Sequence, residues 1–199
     1  GIVIMMIMLL ANLRNISAVA MVMLVIIMSM LSMLGSMGWI FHLTGVEYFH
    51  FTMMNTSMPI VLLTIANSDG VHVLSRFFRE LRKLKDTKRA ITSTMKNLFL
   101  PIFLTSITTS AAFMMLIFSP VGSMIGYGFT IAFGIMWAWL LSNTLLPSLI
   151  VLLKWDIKSK AISKPSYIEN LMRTFGHVVT KSPKRVLSMG IIGTLFAVI

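Results

Sequence analysis

ISAVAMVMLVIIMSMLSMLGSMGWIF, residues 16–41, contains no charged side chain. It exceeds the roughly 20 apolar residues needed to cross a bilayer, and it reads as a membrane span. Three more runs of this kind follow, at 56–75, 98–118 and 123–153. The last is long enough to tilt or to overhang the hydrocarbon. Residues 1–10 (GIVIMMIMLL) and 186–199 (VLSMGIIGTLFAVI) are apolar but shorter, and both read as parts of further spans. The expectation is an all-α transmembrane helical bundle with six passes in all, cut from a larger protein.

Composition agrees. Of 199 residues, 57% are hydrophobic and only 12% charged, against about a quarter charged in soluble domains. Mean hydropathy is +0.89. There is no cysteine, so disulfides and thiolate metal sites are excluded. The 19 methionines are flexible apolar filler and do not indicate copper.

The net charge of +11 is concentrated, with eight cations in 76–96 and eight in 154–185. Such clusters also suit nucleic acid, but here they lie between apolar runs, so no nucleic-acid partner is expected. Arg14, 76–97 and 154–185 alternate with 42–55 (HLTGVEYFHFTMMN) and 119–122 (SPVG), which lack Lys and Arg. By the positive-inside rule the basic segments are cytoplasmic and the other two face the opposite side.

Within 76–97, Phe77, Leu81, Leu84, Ile91 and Met95 recur at helical spacing between cations. This predicts an amphipathic linker of one or two helices at the membrane surface, with Asp86 as a cap for the second. Residues 154–185 read as a basic linker to anionic lipid. Tyr167, Ile168, Leu171, Met172 and Phe175 give it a short amphipathic helix, which Pro183 ends.

One acid interrupts the apolar runs: Asp69, in LLTIANSDGVHVLSRFF (62–78). An ionised Asp near the centre of an isolated membrane helix costs roughly 2.5–3.5 kcal/mol, and such residues face a bundle interior, a cavity or a partner. A carboxyl out of water can gain and lose a proton with conformation, as a proton-coupled carrier requires. It can equally be a structural group that bonds neighbouring helices. Asn67 and Ser68 precede it and His72 lies one turn on. The next span carries TSITTS (105–110), with Thr105, Thr108 and Thr109, and the one after has Ser142 and Asn143. These groups are expected to converge on Asp69 as a polar network.

Other signals point to packing. Gly122, Gly126 and Thr130 form small-xxx-small pairs suited to helix contact. Pro147 is expected to kink or end its span. His42, Glu47 and His50 have no standard metal-ligand spacing. With no phosphate loop and no nucleophile–base arrangement, no enzymatic activity is expected.

IANSDGVHVLSRFFRELRK (65–83) and LTSITTSAAFMMLIFSPVGSMIGYGFTIAFGIMWAWLLSNTLLPSLIVLL (104–153) together resemble the resistance-nodulation-division (RND) superfamily. The branch is the MMPL-like, hydrophobe/amphiphile exporter group. KSPKRVL (181–187) is similar to the lead-in to that family's next span. The resemblance implies spans two to six of one half over 1–153 and the start of span seven at 186–199. It also implies proton coupling at Asp69, with protons as the coupling ion and no other cofactor. Many relatives place Gly before the acid and Tyr or a second acid after it. Here the triplet is Ser68-Asp69-Gly70, which leaves the role on Asp69 alone.

The function implied is export of hydrophobic or amphiphilic compounds, lipids among them, driven by the proton-motive force across a bacterial plasma (inner) membrane. Expected partners are membrane lipids, the second half of the transporter with its extracytoplasmic domains, and further copies in an oligomer. Two alternatives are a sterol-sensing-like lipid-binding regulatory domain without transport and a protein-translocation accessory of the same superfamily.

Overall fold

The computed structural model describes residues 2–153, 155, 180–181, 187–188 and 191. The chain divides into two compact units, Gly1–Ser163 and Lys164–Ile199. In the second unit, residues 180–181, 187–188 and 191 are helical. The short amphipathic helix expected at 167–175, most of the 154–185 linker and most of the 186–199 span lie outside the described residues.

Among the described residues the first unit is a bundle of five α-helices: α1 (Ile2–Leu13), α2 (Ile16–Thr44), α3 (Met58–Leu84), α4 (Thr87–Met114) and α5 (Gly122–Leu152). Helices α2 to α5 are each long and apolar enough to cross a membrane. No strand occurs among the described residues. That composition is the one lipid enforces. With no water to bond to, backbone N–H and C=O groups must be satisfied within the segment, as a helix does.

The helix ends follow local chemistry. Arg14, at φ 51°, turns the chain after α1, and Asn15 caps α2 by accepting the Ala18 N–H at 3.2 Å. Gly45, at φ 66°, closes α2 with its N–H on the Phe41 carbonyl. Two short 3-10 turns, Glu47–Phe49 and Met53–Ser57, lead to α3, where Pro stands in the first turn. Lys85, at φ 55°, ends α3, and Asp86 caps α4 by accepting the Arg89 N–H at 2.8 Å.

The structure redraws the basic segment. Residues 76–84 continue α3 and 87–97 open α4. The two spans therefore run on as a helical hairpin, and 76–97 is not a separate surface linker. Nothing between residues 58 and 84 breaks a helix once Pro59 is placed at its start, and Arg and Lys are good helix formers. The third run ends at 118 as expected, with α4 tightening into a 3-10 turn over the run's last residues, Met115–Phe118. Pro147 lies inside α5 and does not end it.

Helix α2 packs on α3 and α5, and α4 packs on the same two. Leu62, Val73, Leu74, Phe77 and Leu81 of α3, Val22, Val25, Ile26 and Met33 of α2, and Ile131, Ile135 and Leu146 of α5 are fully buried. Across the α4–α5 seam, Ser110 Oγ donates to the Ala132 carbonyl at 3.0 Å. At the basic end, Trp155 lies edge-on to Phe77 and Phe78, with centroids at 5.4 and 5.5 Å. Its Nε1 donates to the Ile150 carbonyl at 2.7 Å.

Small residues set several close approaches, of which two bear on the site and its loop. A Cβ on Gly70 would stand 2.8 Å from Val22 Cγ1, so α2 lies hard against α3 directly beside Asp69. A Cβ on Gly126 would stand 1.8 Å from the Tyr48 carbonyl oxygen. The Gly122–Gly126 pair thus receives the loop between α2 and α3 and not another span, correcting the helix-contact expectation. Gly126→Ala should therefore lower thermal stability in detergent more than Gly70→Ala. A side chain can turn aside, whereas the Tyr48 backbone must move. The Gly126 loss should lie in the overpacking range of about 1–3 kcal/mol. Loss of the α4 cap in Asp86→Ala should cost about 0.5–2 kcal/mol. It should appear first as faster amide hydrogen exchange at Arg89 and the adjoining first turn.

Candidate functional site

Asp69 lies near the middle of α3 and is only 7% exposed. Its Oδ2 is buried with no hydrogen-bond partner. It forms part of the wall of a partly open cleft of about 480 Å³ between α3 and α4. From α3 come Thr64, Ile65, Ser68, Asp69 and His72; from α4 come Leu98, Pro101, Ile102, Thr105, Ser106 and Thr109. Both sets follow helical periodicity, with steps of three and four residues that place them on one face of each helix.

Of the expected network, Ser68, His72, Thr105 and Thr109 share the cleft with Asp69. Asn67, Thr108 and Asn143 do not. Asn67 is offset from Ser68 and Asp69 around the helix, and its Oδ1 is buried without a partner. Thr108 is exposed and donates back to the Leu104 carbonyl at 2.8 Å. Asn143 turns onto its own helix, donating to the Trp139 carbonyl at 2.7 Å. Helix α5 contributes nothing to the cleft. The expected convergence of three spans is therefore a convergence of two.

The sequence reading passed over Thr64 and Ser106 as site residues. Ser106 is 2% exposed, and its Oγ has no hydrogen-bond partner. Its signal was present: 98, 102, 105, 106 and 109 share one face of α4, a face that omits 108. Pro101 adds a backbone feature. A proline inside a helix cannot bond the carbonyl four residues earlier, here that of Asn97.

No Lys or Arg side chain lines the cleft, and His72 is the one other titratable group there. No Lys or Arg faces Asp69 across the cleft, so a carboxylate there has no ion-pair partner and charge is costly to keep at this position. The chemistry available is proton binding and release, with hydroxyls and an imidazole along the walls. At the loop end, the His50 ring packs edge-on against Phe41 at 5.4 Å. Among the described residues no three His, Cys, Asp or Glu side chains form a metal-binding group.

Comparison with curated proteins gave no match. The MMPL family matches residues 1–186, a stretch that includes all four long apolar helices and both walls of the cleft. With its all-helical architecture and its apolar spans, the chain is an integral, multi-pass membrane protein segment that belongs to the MMPL family of RND-type transporters.

Proposed function

We propose that these helices belong to a proton-motive-force-driven exporter of hydrophobic or amphiphilic compounds, lipids among them, in a bacterial plasma membrane, and that Asp69 is its coupling acid. The observation that carries the reading is the buried, unpartnered Asp69 Oδ2 in a cleft otherwise free of charge except for His72. Protonated, the group can rest in an apolar seam. Ionised, it requires water or a partner, and the packing of α3 must change to provide one. In the intact transporter that partner comes from the second half. The motion passes to extracytoplasmic domains that handle the cargo.

The energy available is adequate. One proton falling through 100 mV releases about 2.3 kcal/mol. Spent on a two-state element, that shifts the ratio of states by about fiftyfold.

The decisive measurement uses the intact transporter in proteoliposomes under an imposed proton gradient. Asp69→Asn should reduce both proton flux and export of a fluorescent acyl lipid by at least about tenfold, with helix content and monodispersity unchanged. Native rates in Asp69→Asn would refute the coupling role, and no transport by either form would favour a lipid-sensing domain. A second measurement concerns access. Thr105→Cys and Ser68→Cys should react with a small water-soluble thiol reagent, whereas Asn143→Cys should not. Equal reactivity at all three positions would mean that hydration is not confined to the cleft.

A further inference from the structure

Among the described residues only two carboxyl groups are buried, Asp69 at 7% exposed and Glu80 at 8%. They stand on the same helix eleven residues apart. That is about 16 Å along α3 and about 20° around it, so they occupy one face. His72 and Arg76 lie between them on that face. His72 is on the cleft wall.

Glu80 sits in the same α3–α4 seam as the cleft, nearer the hairpin turn. Ser93 Oγ of α4 donates to Glu80 Oε2 at 3.3 Å. On α4 the cleft begins at Leu98, five residues from Ser93. Past Glu80 the hairpin carries exposed Lys83, Lys85, Lys88 and Arg89, which mark the aqueous boundary.

An ion pair does not account for this placement. Arg76 Nε lies 3.7 Å from Glu80 Oε1, outside hydrogen-bond range, and that nitrogen has no hydrogen-bond partner. A neighbouring i,i+4 pair contributes little, while burying a carboxylate is costly. Glu80 is a buried carboxylate held between two helices by Arg76 and Ser93, on the α3 face that runs from Asp69 to the basic hairpin turn.

We propose that Glu80 is the proton-release group of the Asp69 site, receiving the proton that leaves Asp69 and handing it to the aqueous phase at the basic end. This rests on the reading of Asp69 as the coupling acid. In the step, the O–H bond at Asp69 breaks and leaves a carboxylate. The proton passes by way of the His72 imidazole and water admitted to the cleft. An O–H bond forms at Glu80 and then breaks to bulk water. Nothing is oxidised or reduced.

The test uses the intact transporter in proteoliposomes, driven by a potassium diffusion potential at equal pH on both sides, with proton flux read by an entrapped pH dye. Glu80→Gln should slow the flux by about tenfold or more, the range for loss of a positioned proton carrier. Glu80→Asp should retain most of it. Added azide, a small weak acid that can carry protons to the vacated position, should restore Glu80→Gln and leave Asp69→Asn inactive. A native rate in Glu80→Gln, or a slow rate that azide does not restore, would overturn the proposal and leave Glu80 as a tie between helices. Should Glu80→Gln fail to assemble, Glu80→His and Glu80→Asn replace it; His should keep the flux and Asn should lose it. A native flux in Asp69→Asn would instead remove the coupling reading itself, so the two failures are distinguishable.

Discussion

Hydrocarbon supplies no hydrogen bonds, and the bundle is organised around that fact. Most of its hydroxyl groups turn back onto their own helix. Ser29, Thr64, Thr94, Thr108, Thr144 and Ser148 each donate to the carbonyl four residues earlier. These groups are content where they are and draw nothing toward them. Against that background the exceptions carry meaning. Asp69 and Ser106 at the cleft, like Thr130 and Ser142 on α5, hold buried polar atoms that are not satisfied locally. At the cleft the unsatisfied acid stands beside hydroxyls of both kinds, Thr64 back-bonded and Ser106 not.

The seam exists because the neighbouring contacts are tight. Gly70 lets α2 approach on one side of α3, which leaves the opposite relation, α3 against α4, to carry the open space beside the acid. A larger residue at position 70 would displace the Val22 side chain and redistribute the packing around Asp69. The absence of a second polar group immediately after the acid is thus compatible with a steric role for that position. Gly70 serves the contact between α2 and α3.

Much of the fold was legible from uncharged length alone, since runs such as 16–41 have no other stable solution in lipid. Asp86 was legible as a cap because its residue type and the break in the apolar pattern coincide. The ends of α3 and α4 were less legible. A basic residue does not terminate a helix, so the shift from apolar to charged at Arg76 records a change of solvent and not of backbone. The site was legible as a neighbourhood but not as a surface. Composition singled out Thr108 and Asn143 as readily as Thr105, because all are polar residues within spans. Only helix rotation separates them, and rotation depends on which faces the other helices cover. Ser106 could have been selected, and Thr108 rejected, by following the three-to-four-residue step from Leu98.

The unequal burial of the helices has a consequence for the acid. Helix α3 is clasped at its middle by α2 through Gly70 and at its basic end by the Trp155 ring. Helix α4 is the least enclosed, with 17% of its most apolar window buried against 33–44% for the others. The acid therefore sits between two unlike walls: α2, closely apposed at Gly70, and α4, whose outer face is left largely uncovered.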